Sequence, residues 1–474
     1  MRTPRFTALA TVFFVAIVLA APLASKAEET SRARREARTV IVVLDAVPYS
    51  VVAELKSGRW EGAGDPVFEE LRGPVPLIST FPSTTSLALA AILEPFGLEI
   101  SPGYEARHYD RELDRIHGGG LVSYNRLKFP WRTFFDWKRR SLWLKMIGSL
   151  RPVKASLRSI ENSLDAFIEA DPELDPYFIY YDTTDLAGHL RSPESLKPIL
   201  VTLDAKLREL RAENPERPFR TVLLSDHGMA GGEPLVNTRR AVFEALEEAD
   251  FAIGKHLEGE DDVVFVPFGL VSSFVVYARP GRGVAVAGAI AGAEGVDACA
   301  AREGEGWWIE GEVGGARIGR RRVGDREEWS YGPVTGDPLG FAPVVERLAA
   351  RASRAAVSGP RWFSDRDWFE ATRGSDYPDA LYRVASAFEL VENPASVVCS
   401  VEPGHMFGAA LTDFSSKLSV GRLEWTHGAL RREDSWGFLM SDAPLWHAEG
   451  AVRFSDALRP FVPAAQASAS STLP

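Results

Sequence analysis

Three stretches of the chain string together β-branched, aliphatic and aromatic residues with no polar alternation, and each stops at acids. They are "TVIVVLDA", ending at Asp45, "YFIYYDTTD" (Tyr177 to Asp185) and "TVLLSDHGM", which reaches Asp226 and His227. A strand with one face in water alternates; a continuous apolar run marks a strand covered on both faces. Between the runs lie segments such as "SLRSIENSLDAFIEA" and "PESLKPILVTLDAKLRELRAE", whose apolar residues recur at three and four. Buried strands alternating with amphipathic helices predict an α/β fold, with a mostly parallel central sheet carrying helices on both faces. In such sheets ligands sit beyond the carboxyl ends of the strands, so Asp45, Asp185 and Asp226 are expected around one cleft. Acids set against an apolar sheet are costly unless something pairs with them, and a cation is the simplest partner.

The rest of the 474 residues divides around this core. Residues 1–27 read as a secretory signal: Arg2 and Arg5, a run of small and apolar residues from Ala8 to Ala21, then Ser25-Lys26-Ala27 with cleavage after Ala27. The run is short against the ~20 residues a membrane span needs. The expectation is therefore an exported protein, periplasmic or secreted, without a stable membrane span once the signal is removed. Removal takes three of the 54 basic residues and none of the 65 acidic ones, moving the net charge from −11 to −14. That balance disfavours a nucleic-acid-binding surface. A glycine-rich section with short β-like pieces, 251–340, reads as a smaller β-rich inserted cap. It separates a first part of the catalytic core, 38–250, from a second, 341–455, to which "ASVVCSV" is assigned as a strand. The low-complexity tail 456–474 reads as disordered. Cys299 and Cys399 are the only cysteines, and either a disulfide or two buried thiols fits them.

Histidines sharpen the cleft. Asp185 and His189, four apart in "DLAGH", fall on one side of a helical turn; Asp226 and His227 share a strand end; "EWTHGAL" adds His427. Mixed aspartate and histidine donors suit zinc, and also manganese or iron. In "FPSTTSLALAAIL" the hydroxyls precede a helical segment. Ser83 reads as the N-cap, which puts Thr85 in the first turn, where free N–H groups and the helix dipole favour negative charge. A threonine hydroxyl is a poor nucleophile at neutral pH unless a divalent cation lowers its pKa.

As a set, "VIVVLDAVPYS", "FPSTTSLALAAIL", "DTTDLAGHL", "LLSDHGM" and "THGALRREDS" resemble the alkaline phosphatase superfamily, in its type I phosphodiesterase/nucleotide pyrophosphatase branch. The motifs stand in family order across nearly the whole chain after the signal. The resemblance implies an alkaline phosphatase-like fold and two divalent metal ions, usually zinc. Asp45, Thr85, Asp226 and His227 would hold the metal that activates the nucleophile, Thr85, and Asp185, His189 and His427 would hold the second. Relatives carry an asparagine about twenty residues after the nucleophile that contacts a phosphate oxygen. Here the region reads "GYEARHYDREL", with no asparagine, and either Arg107 or a backbone N–H is expected to take its place at a phosphoryl oxygen.

The expected activity is metal-dependent hydrolysis of a small phosphorylated substrate, a phosphate ester or nucleotide-like molecule. A phosphomonoesterase, or an envelope transferase passing a phosphoryl or phospho-alcohol group to an acceptor other than water, are the alternatives. Asp182, Thr183, Thr184 and Asp204 are named as residues that could support the ligands.

Overall fold

In a computed structural model, the described residues are 37–60, 62, 66–105, 107–118, 130–135, 152–266, 269, 271–351, 359–408, 423–443 and 450–462. The expected signal with its cleavage site and residues 463–474 of the tail lie outside them, whereas 456–462, expected as disordered, continue from the core with Ala457 and Leu458 buried and a 3-10 turn at Arg459–Phe461. No helix among the described residues is long and apolar enough to cross a membrane.

The three acid-ended runs become adjacent strands of a six-stranded sheet. Its members are β1 (Arg38–Leu44), β2 (Arg72–Ile78), β3 (Tyr177–Tyr181), β4 (Phe219–Leu224), β5 (Trp436–Ser441) and β6 (Val452–Arg453), in the order β6-β2-β5-β4-β1-β3. β1 pairs in parallel with β3 and β4, and β2 with β6; β5 alone is antiparallel, between β4 and β2. Successive residues of β1 face opposite layers, and both layers are apolar. Val40, Val42 and Leu44 pack with residues of the helices Tyr49–Lys56, Pro152–Glu169 and Lys197–Glu213. Ile41 and Val43 pack with α1 (Thr85–Leu93) on the other side. Burial on both faces is the physical reason these strands lack alternation. α1 is correspondingly buried at every position after Thr85.

A second sheet has nine strands. From one edge they run Phe363–Ser364, Arg326–Pro333, Gly314–Val323, Gly306–Gly311, Val296–Glu303, Val397–Val401, Ser273–Ala278, Asp262–Phe265 and Ala252–Gly254. Only the last pair is parallel. This corrects one expectation. Val397–Val401, assigned from its apolar run to the central core, lies between Val296–Glu303 and Ser273–Ala278 in the second sheet. A strand buried on both faces looks the same in the middle of either sheet. The register sets Cys299 opposite Cys399, and the two form a disulfide across the strand pair.

Candidate metal centre

Residues that follow strand ends, and two helices, bring the acids and histidines together. Asp45 directly follows β1 and is buried; its N–H donates to Tyr181 O at the end of β3. Asp226 and His227 follow β4 and have no exposed surface. Ala46, with φ of 56°, turns the chain after β1 so that its N–H donates to Asp226 Oδ1 (3.2 Å), which ties the two acids to one corner. Thr85, the first residue of α1, points its hydroxyl there: Oγ1 donates to Asp45 Oδ1 (3.1 Å) and lies 3.4 Å from His227 Nε2.

The N-cap of α1 is Thr84 rather than Ser83, and its side chain does not cap the helix. Thr84 Oγ1 donates instead to Tyr104 O, and Ser83 Oγ to Thr80 O and Ala429 O. The helix starts one residue later than the sequence suggests because Ser83 is committed to the loop around His427.

α2 (Thr183–Arg191) begins two residues after β3 and carries Asp185 and His189 one turn apart, with His189 Nε2 3.1 Å from Asp185 Oδ1. His427 Nε2 approaches the same oxygen at 3.4 Å. The result is two trios, Asp45 with Asp226 and His227, and Asp185 with His189 and His427, each with its ligand-type atoms within 4.8 Å of one another. The trios adjoin, since the imidazoles of His227 and His427 stack at 4.0 Å.

Each imidazole sets its Nδ1 against a backbone carbonyl: His189 against Trp425 O (2.7 Å), His427 against Ser83 O (2.9 Å) and His227 against Gly228 O (3.0 Å). A carbonyl accepts, so Nδ1 carries the hydrogen and, in the neutral ring, Nε2 keeps its lone pair. Those Nε2 atoms face carboxylate oxygens: His189 and His427 face Asp185 Oδ1 at 3.1 and 3.4 Å, and His227 faces buried Asp226 Oδ2 at 3.5 Å, an oxygen with no hydrogen-bond partner among the described residues. Acceptors facing acceptors need a proton or a cation between them. Each trio could therefore hold a divalent cation, and its chemistry, imidazole nitrogen and carboxylate oxygen, suits zinc, manganese or iron.

Electrostatics describe the same strain. Burial, then the neighbouring Asp226 and Asp185, push the Asp45 carboxyl well above the usual range, against the hydrogen bond from Tyr180. Burial pushes Asp226 up to about 7. For Asp185 burial acts upward, but His189 and His427 outweigh it and hold the carboxyl well below its ordinary value. Burial acts downward on His427, and Asp185 outweighs it, raising the imidazole to about 9. His227 is pulled well below its ordinary value by burial and by His427.

Other named residues have definite places. Thr184 Oγ1 donates to Asp45 O (2.7 Å), so it supports the turn after β1. Thr183 accepts from Ser156, and Asp204 pairs with Arg208 along its own helix. Asp182 occupies the N-cap position of α2. Arg107 is partly exposed, three residues after Tyr104, whose carbonyl accepts from Thr84. Sequence reasoning missed Tyr180, whose hydroxyl donates to Asp45 Oδ2. It also missed Ser225, whose Oγ accepts from Val47 N–H and donates to His227 O. Both lie inside apolar runs, where the sequence carries no sign of a site.

A mixed α/β fold with two adjoining acid and histidine trios at the ends of its parallel strands defines the class of protein. No family model and no curated protein matches the chain. Among solved structures it is similar to phosphonoacetate hydrolase from Sinorhizobium meliloti 1021 in complex with phosphonoacetate, with 13% identity and a TM-score of 0.48 over 90% of this chain and 95% of that one. It is also similar to human ectonucleotide pyrophosphatase/phosphodiesterase 5, with 10% identity and a TM-score of 0.45 over 89% and 93% of the two chains. The murine form gives 11%, 0.43, 89% and 92%.

Proposed function

We propose that the chain is a two-cation phosphoric ester hydrolase of the alkaline phosphatase superfamily, in which Thr85 is the nucleophile. The observation that carries this is the position of the Thr85 hydroxyl at the first turn of α1, in contact with Asp45 and His227 of the trio that adjoins the second through the stacked His227 and His427 rings. Asp45, Asp226 and His227, with Thr85, would hold one cation; Asp185, His189 and His427 would hold the other. When bound, two divalent cations lower the pKa of a hydroxyl and neutralise charge on a transferring phosphoryl group.

The chain's own residues supply the rest. Asp45 Oδ1 accepts the hydrogen bond of the Thr85 hydroxyl and so fixes the direction of its lone pairs. The first-turn N–H groups of α1, which the Thr84 side chain at the N-cap leaves free, favour an anionic oxygen beside Thr85. Attack forms the Thr85 O–P bond and breaks the P–O bond to the leaving alcohol. Water then breaks the phosphothreonine, releasing phosphate or a phosphate monoester and restoring the hydroxyl. Arg107 is a candidate contact for a phosphoryl oxygen. Export through the N-terminal signal agrees with the Cys299–Cys399 disulfide, which suits an oxidising compartment.

Thr85→Ala should lower turnover of a nitrophenyl phosphate ester by about 10⁴-fold or more while cation content stays near two per chain. Wild-type turnover in that variant would refute the nucleophile. Chelation should abolish activity and zinc should restore it.

A further inference from the structure

Arg383 lies on α3 (Ala380–Ala387), behind the Thr85 turn, and has no exposed surface. A buried guanidinium is expensive, and an apolar side chain of similar size often serves a core as well or better. Its hydrogen bonds show what it does instead. Nη1 donates to Leu430 O (2.6 Å) and Pro378 O (3.2 Å). Nη2 donates to Thr80 O (3.0 Å), Ser83 Oγ (3.3 Å) and Ser435 Oγ (2.5 Å). One rigid plane thus grips two segments far apart in sequence: the turn that leads into Thr85 and the loop that carries His427.

Ser83 is where those segments meet. Its N–H donates to Gly428 O (3.1 Å), and its carbonyl accepts from His427 Nδ1 (2.9 Å). Thr85 follows two residues later. A displacement of Ser83 therefore moves the nucleophile and turns the His427 ring together. Building on the two-cation reading, we propose that Arg383 is a positioning residue that fixes Ser83, so that the nucleophile turn and the Asp185–His189–His427 trio keep one geometry. Lysine cannot replace it, because a single ammonium cannot reach oxygens spread along both arms of the fork.

The test is zinc titration of chelated protein in two backgrounds. Asp226→Asn leaves the Asp185–His189–His427 trio intact, and Asp185→Asn leaves the other. Arg383→Met should weaken zinc at the Asp185 trio by roughly 10-fold or more, and at the Asp226 trio by less than about 3-fold. On the otherwise wild-type chain it should lower kcat for the nitrophenyl ester by about 10–100-fold and leave KM nearly unchanged. Equal losses at both trios, unchanged zinc affinities, or an unchanged kcat would overturn the proposal. If Arg383→Met does not fold, Ser83→Ala is read in the same backgrounds, since it removes one acceptor and leaves the guanidinium its carbonyl and Ser435 partners. It should shift the same trio by about 3-fold, and equal affinities at that trio with and without the substitution would overturn the proposal. Wild-type protein taking up fewer than two cations refutes the two-cation reading and this inference together. Two cations in wild type, with an Arg383→Met variant that binds and turns over like it, refutes this inference alone.

Discussion

Asp226→Asn should stabilise the protein when cations are chelated and destabilise it when they are bound. Asp226 is fully buried; its Oδ1 accepts from Ala46 N (3.2 Å) and His227 N (3.1 Å), and its Oδ2 has no hydrogen-bond partner among the described residues. An asparagine oxygen in the place of Oδ1 keeps both bonds, so the substitution chiefly removes a buried charge. Burial raises this carboxyl from 3.8 to about 7. Below pH 3.8 the group is protonated in both the folded and the unfolded chain and has no effect on stability. As pH rises toward 7 the unfolded chain loses its proton first, so the folded state pays an increasing cost, complete above pH 7. That interval corresponds to roughly 4 kcal/mol. Over the roughly 360 described residues, roughly 4 kcal/mol is a melting shift of about 5 °C. With zinc at a hundredfold excess over its Kd, wild type gains about 3 kcal/mol per site, and a variant short of one carboxylate ligand forfeits much of that at its own site. Calorimetric melts with chelator should show the variant melting higher at pH 8 and level with wild type at pH 4, while with zinc at pH 8 it melts lower. A variant that melts below wild type in chelator at pH 8, or one that gains equally at pH 4, would refute the reasoning.

Tyr180→Phe removes the hydroxyl that donates to Asp45 Oδ2 and should weaken zinc binding or kcat by about 10–100-fold without unfolding the protein, as read by calorimetric titration beside kinetics. Cys399→Ala opens the disulfide to Cys299, whose partners are 100 residues apart, and should cost about 3–5 kcal/mol in urea unfolding; a reductant should then lower the wild-type midpoint and leave that of the variant unchanged.

The parts of this molecule that sequence reveals are those whose signal is local. β1, β3 and β4 announce themselves because burial on both faces removes alternation, and Asp185 with His189 because a helical turn brings residues four apart together. What stays hidden depends on pairing across the chain. Tyr180 reaches Asp45 because it sits opposite Val43 on the neighbouring strand, 135 residues from the acid it touches. Val397–Val401 could complete either sheet from its composition, and its place was decided by partners in the second sheet. The orientation of the three imidazoles is the deepest case. Ser83, Trp425 and Gly228 hold His427, His189 and His227 through carbonyl oxygens, a group that every residue possesses. No residue type could mark those three positions. The acids and histidines of the two trios can therefore be read from side-chain chemistry, while their aim is stored in the backbone path, and for His427 that path is the one Arg383 grips.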